Sequence, residues 1–153
     1  MRSTHMCAFA RSLRCPSSAS RAPDRQMSPL PLIALGGALG TSARYLISLW
    51  AARQLPVGFA WGTLIVNVVG SFLLAFVVQL SLTTPSITPN TRLFLTTGVM
   101  GGFTTYSTFN QETLVLRQQG STAAAFANVA ATLLTCLAAA FAGQALARVI
   151  AGA

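Results

Sequence analysis

The stretch from Thr96 to Thr113 reads TTGVMGGFTTYSTFNQET. It is nearly uncharged, yet it is too polar for a helix that faces lipid, and this combination indicates what kind of fold the chain adopts. It holds six threonines, one serine and three glycines. Adjacent Gly101 and Gly102 cost about 1 kcal/mol each inside a helix, and β-branched threonines follow. We therefore expect a break near 101–105 that frees backbone carbonyls and is buried in protein or lines a polar cavity. The alternative is a flexible kink whose threonine hydroxyls bond back to their own helix.

Outside this stretch the chain is strongly apolar. Of its 153 residues 53% are hydrophobic and 8% are charged, whereas a soluble domain carries about 25% charged residues. The composition excludes a soluble globular domain and equally a disordered chain. The net charge is +8, but the arginines form no stripe on one face, which argues against a nucleic-acid partner. An integral membrane protein in a lipid bilayer remains.

The gaps between charged residues predict an all-α membrane protein. A helix needs about 20 mostly apolar residues to cross about 30 Å of hydrocarbon. We expect one membrane domain over 28–153. It has four membrane-spanning helices at about 30–52, 60–82, 92–118 and 122–149, and the third is broken in the middle of the membrane.

Residues 1–27 differ from the rest of the chain. They carry five of the ten arginines and the only histidine, His5. They contain no apolar run of the 7–15 residues that a secretory signal needs. We expect a disordered extension rich in arginine, serine and alanine, with a transit peptide as the alternative. The three cysteines lack the spacing of a metal site.

The remaining arginines divide almost equally between the two sides of the membrane. Four spans place Arg92 and Arg148 on one side and Arg53 and Arg117 on the other. Because the arginine and lysine bias sets the orientation of a membrane protein, this part of the chain is expected to insert both ways. The arginines of the extension favour a single orientation instead.

Polar residues within the apolar spans are candidate functional groups. Asn67 lies in the middle of the second span, where it either joins two helices or binds a ligand. On the last span Asn128, Thr132 and Cys136 follow one another at intervals of four and share a face. Arg44, near the end of the first span, either reaches the membrane surface or draws anions toward a vestibule.

These residues lie in motifs that resemble the Fluc (CrcB) family of fluoride channels. The matching segments occur in the family's order and cover about 30–150: GGALGTSARY at Gly36–Tyr45, GTLIVN at Gly62–Asn67 with Gly70–Phe72, and GVMGGFTTYSTF at Gly98–Phe109 followed by Glu112. The resemblance implies a bacterial inner-membrane protein that exports cytoplasmic fluoride by passive conduction. It also implies an antiparallel, dual-topology homodimer with two pores and a structural sodium ion at its centre.

The resemblance further implies roles for individual residues. The sodium ion would be held by the backbone carbonyls of Gly101 and Thr104 of each subunit, and Arg44 and Glu112 would face a vestibule. Fluoride holds its water tightly, so a pore must replace that water with neutral donors and aromatic ring edges. The pore residues would be Asn67, Thr105, Tyr106, Ser107, Thr108, Phe109, Asn128 and Thr132.

Position 106 departs from the family's pattern. The family's usual residue there is phenylalanine, and the hydroxyl of Tyr106 adds a group that either donates to fluoride or obstructs its passage. Tyr106 therefore either preserves or lowers the rate of fluoride conduction.

Other classes of function fit the sequence less well. A small proton-coupled multidrug transporter also uses four helices in dual topology, but it needs a carboxylate within a span, and Glu112 lies close to the end of the third one. A purely structural membrane subunit does not need the Gly101–Phe109 arrangement. An enzyme is not expected, because no nucleophile–base pair is visible.

Overall fold

The structure, a computed structural model, describes residues 29–84 and 87–152, so the expected extension at 1–27 lies outside the described residues. Within these ranges the regular structure is helical. The ends of the helices differ from the ends of the expected spans by no more than about three residues. The elements are α1 (Leu30–Gln54), α2 (Trp61–Thr83), α3 (Pro89–Leu93), a π-helical segment (Phe94–Met100), α4 (Gly101–Phe103), α5 (Tyr106–Gln118) and α6 (Thr122–Ala151).

Three of the helices are long and apolar enough to cross a membrane. The helices α1, α2 and α6 contain 25, 23 and 30 residues, and at about 1.5 Å per residue each exceeds the thickness of the hydrocarbon layer. Large apolar side chains of α6, such as Leu133, Leu134 and Phe141, point outward. The prediction of a multi-pass membrane protein is confirmed.

The broken third helix is also confirmed, and the break lies within the expected range of 101–105. Thr104 and Thr105 are extended, with φ/ψ of −79°/156° and −151°/118°. Gly101 stays helical at −62°/−37°. Gly102 allows a close approach to α1, since a Cβ there would lie 2.5 Å from the carbonyl oxygen of Gly37. Helix packing therefore requires the second glycine of the pair.

Close packing against α1 and α2 fixes the position of the broken helix. The helix α1 lies against the π-helical segment, and a Cβ on Gly40 would overlap the carbonyl oxygen of Val99. The helices α2 and α6 pack along each other, and α5 packs on α6. Phe103, directly before the break, is buried. The broken helix is thus held between α1 on one side and α2 on the other.

Candidate functional site

Asn67 of α2 clamps the backbone at the break. Its Nδ2 donates to the carbonyl oxygen of Thr105 at 3.1 Å, and the N–H of Thr105 donates to its Oδ1 at 2.9 Å. These two bonds satisfy a backbone unit that has left the helix at membrane depth, where an unpaired polar group costs several kcal/mol. Of the two roles that the sequence left open, Asn67 has the connecting one, and a second amide N–H stays available.

The same exchange of partners frees two carbonyls. In a continuous helix the N–H of Thr105 would donate to Gly101, and that of Thr108 would donate to Thr104. Instead the first donates to Asn67, and the second donates to Oγ1 of Thr105 at 3.3 Å, which makes Thr105 the N-cap of α5. The carbonyl oxygens of Gly101 and Thr104 therefore lose their helical donors.

Of the two carbonyls between them, that of Gly102 has a different partner. The oxygen of Gly102 accepts from Nε of Arg44 at 3.2 Å and from the hydroxyl of Thr41 at 3.4 Å. A cation is favourable at a helix C-terminus, and here the guanidinium of Arg44 caps the end of α4. Arg44 thus connects α1 directly to the break.

A cavity of about 570 Å³, the vestibule cavity, opens at one end of α2. Both residues expected at a vestibule, Arg44 and Glu112, line it together with Thr63 and Thr108. The hydroxyl of Thr63 donates to Oε1 of Glu112 at 2.8 Å. Among the described residues, the buried Oε2 of Glu112 has no hydrogen-bond partner. Charge of both signs therefore borders the vestibule cavity.

A second cavity of about 560 Å³, the groove, lies between α2, α5 and α6 beyond the break. Uncharged residues line it in the described part of the chain, and its polar side chains are Asn67, Ser71, Thr104, Thr105, Tyr106, Thr132 and Cys136. The rings of Tyr106 and Phe109 form one wall, with centroids 5.6 Å apart and planes inclined at 41°. The hydroxyl of Thr132 is buried and has no partner within the described ranges.

Hydroxyl groups connect the two cavities. Thr105 lines the groove and Thr108 lines the vestibule cavity, and their Oγ1 atoms are 2.9 Å apart. The hydroxyl of Ser107 lies 3.4 Å from that of Thr105. These hydroxyls therefore form a polar contact between the linings of the two cavities.

Three of the expected site residues, Ser107, Asn128 and Gly101, lie outside both cavities. Asn128 is 1% exposed, and its Nδ2 donates to Oγ1 of Thr113 at 2.8 Å. That hydroxyl in turn donates to the carbonyl oxygen of Phe109, also at 2.8 Å, so Asn128 holds the helix that carries the Phe109 ring. Gly101 lies on the exposed surface of the protomer.

Some residues of the site were missed at the level of sequence. Thr63 and Ser71 follow the same face of α2 as Asn67, at intervals of four residues, and this polar stripe was visible in the sequence. The role of Thr113 as the link between Asn128 and Phe109 has no comparable signal, since it depends on how α5 meets α6.

Known proteins resemble this chain over most of its length. The family model for "CrcB-like protein, Camphor Resistance (CrcB)" matches residues 31–144. A protein of Anaeromyxobacter dehalogenans named "Fluoride-specific ion channel FluC" is 58% identical over 126 residues, which are 82% of this chain and all of that protein.

Two further proteins of the same name come from Sorangium cellulosum and Rhizobium meliloti. They are 52% identical over 116 residues and 41% identical over 122 residues, covering 76% and 80% of this chain and 91% and 98% of their own lengths. The resemblance seen in the motifs is confirmed, and the chain belongs to the CrcB/FluC family of fluoride channels.

Proposed function

We propose that the chain is a fluoride-selective channel that exports cytoplasmic fluoride passively across the bacterial inner membrane. The observation that carries the proposal is the pair of cavities joined by the hydroxyls of Thr105 and Thr108 at 2.9 Å. The relatives named as fluoride-specific ion channels support the choice of ion. Conduction involves no chemical step, so the chain is not an enzyme.

The lining of the groove suits a strongly hydrated anion that must also leave again. The free amide N–H of Asn67 and the hydroxyls of Thr105, Thr108 and Thr132 replace water donors. The ring edges of the Tyr106–Phe109 wall carry partial positive charge. Conduction requires binding that is strong enough for entry and weak enough for release, and neutral donors provide this balance better than a buried arginine.

The vestibule cavity collects the anion before it reaches the groove. The positive charge of Arg44 raises the local concentration of anions in a cavity with apolar walls. Glu112 opposes this attraction, but Thr63 donates to one of its oxygens. We assign Arg44 and Glu112 to the entrance and the hydroxyl of Thr108 to the step that follows.

A sodium ion, as the family implies, fits the break. Gly101 and Thr104 offer carbonyl oxygens that have lost their helical donors, at the negative end of a half-helix. A Cβ on Gly101 would meet only the carbonyl oxygen of Thr96, at 3.9 Å, so the surroundings of the Gly101 Cα are open. When bound, the ion supplies a fixed positive charge that favours an anion nearby.

The exposed break supports a homodimer. A carbonyl such as that of Gly101 costs several kcal/mol if it faces lipid without a partner. A second copy in the opposite orientation places its own break beside the first one, so that four carbonyls surround the sodium ion. The nearly equal division of arginines between the two sides fits such an antiparallel, dual-topology assembly with two pores.

Efflux from proteoliposomes that contain this chain alone tests the proposal. We expect rapid fluoride efflux, far slower chloride efflux, and no dependence of either on added drug or on a proton gradient. Drug-driven proton flux without fluoride efflux would overturn the proposal and establish a proton-coupled multidrug-type transporter instead.

A further inference from the structure

A series of cavities follows α2 from one end to the other. The vestibule cavity touches Trp61 and Thr63, and the groove touches the segment from Asn67 to Leu74. A third cavity of about 300 Å³, the end cavity, touches α2 from Ala75 to Leu82. From Trp61 in the first cavity to Leu82 in the last, α2 rises about 32 Å at 1.5 Å per residue, which is about the thickness of the hydrocarbon layer.

The end cavity continues the groove. Both are lined by Leu137 and Ala140 of α6, so the end cavity begins where the groove ends, on the side away from the vestibule cavity. It lies between α2 and α6 close to the end of α2, which is at Thr83. An ion that leaves the groove in this direction passes through the end cavity.

The polar side chains of the end cavity, within the described ranges, are two glutamines. Nε2 of Gln144 donates to Oε1 of Gln79 at 3.2 Å. Each glutamine continues the polar face of its helix, eight residues after Ser71 on α2 and eight residues after Cys136 on α6. The three remaining N–H groups of the pair have no role in joining the helices.

We propose that Gln79 and Gln144 form an anion-binding amide pair at the second mouth of the fluoride path. This inference rests on the proposed function and adds a binding site at the end opposite Arg44. Amide N–H groups replace part of the ion's water as it leaves the groove. Because the pair is neutral, it does not trap the ion at the exit.

The test replaces each glutamine by methionine, which has the same length and no N–H group. We expect Gln79→Met and Gln144→Met each to slow fluoride efflux from proteoliposomes at least tenfold. We expect fluoride efflux through the double variant to be about as fast as through the slower of the two single variants, because the two residues act as a unit. The matched control is Gln118→Met on α5, an exposed glutamine outside these cavities, which is expected to conduct at the wild-type rate.

The outcomes separate this inference from the proposed function. Folded, monodisperse Gln79→Met and Gln144→Met proteins with wild-type efflux would overturn the inference alone, since the amides would then merely join two helices. A wild-type protein without fluoride efflux would overturn both. If Gln144→Met does not fold, Gln144→Glu keeps the length and an acceptor while its carboxylate repels the anion. Wild-type efflux by Gln144→Glu would equally overturn the inference.

Discussion

Replacing Asn67 with leucine removes the clamp on the break. The two bonds to Thr105, at 3.1 and 2.9 Å, exist only in the broken helix. At about 1 kcal/mol each, their loss shifts the balance toward a continuous helix by about 2 kcal/mol, which is roughly thirtyfold. In the continuous form the N–H of Thr105 returns to the carbonyl of Gly101 and withdraws it from the sodium ion. Sodium is therefore expected to bind more weakly, by up to about thirtyfold, because only the broken form offers the Gly101 carbonyl.

Thermal unfolding of the purified protein at increasing sodium concentrations measures this change. An ion that binds only the native state stabilises it by RT ln(1 + [Na⁺]/Kd), so a fit of this relation to the rise in stability with sodium concentration gives the affinity. A large organic cation replaces sodium to hold the ionic strength constant. Fluoride efflux of the Asn67→Leu protein is expected to fall in parallel.

The matched control is Asn90→Leu, at an exposed position of α3 away from the break, which should leave the sodium dependence unchanged. An Asn67→Leu protein with the wild-type sodium dependence would refute the role assigned to the clamp. If the stability and the fluoride efflux of the wild-type protein do not depend on sodium, the sodium site itself is refuted.

Four further substitutions test other parts of the structure. Phe109→Ile removes a ring edge from the groove and is expected to abolish fluoride efflux nearly completely, whereas Tyr106→Phe keeps the ring and is expected to preserve it; normal efflux by Phe109→Ile would contradict this. Gly40→Ala drives a methyl group into the carbonyl of Val99 and should lower stability by about 1–3 kcal/mol, so an unchanged unfolding midpoint would count against the close packing. Asn128→Leu breaks a buried bond and should cost about 0.6–2 kcal/mol, measured in the same way, and equal stability would show that the bond contributes nothing.

The sequence predicted a break near 101–105 from the glycine pair and the threonines that follow it, but it did not show which of these residues leave the helix. Each glycine weakens a helix by about 1 kcal/mol. In the structure Gly102 instead lies against Gly37, and the helix ends at Thr104. Local propensity is a weak prior that tertiary contacts override, and no single-residue scale contains the approach of α1.

The roles of the polar residues depended on their partners in space. Asn67 and Thr105 are 38 positions apart, so the sequence offered both a connecting role and a ligand role without deciding between them. The polar stripe of α2 was present in the sequence at intervals of four, but its continuation to Gln79 gains meaning only beside Gln144. Periodicity shows which residues share a face, and packing shows what that face meets.

The sequence alone was enough to show that the chain spans a membrane, how many membrane-spanning segments it has and which family it belongs to. The physical reason is that hydrocarbon tolerates few charges, so the gaps between arginines set the helices. Only the tertiary structure decided where the broken backbone finds its hydrogen bonds, because those partners come from distant parts of the chain. At membrane depth no water can replace them, and the side chains that satisfy the break also shape the path beside it.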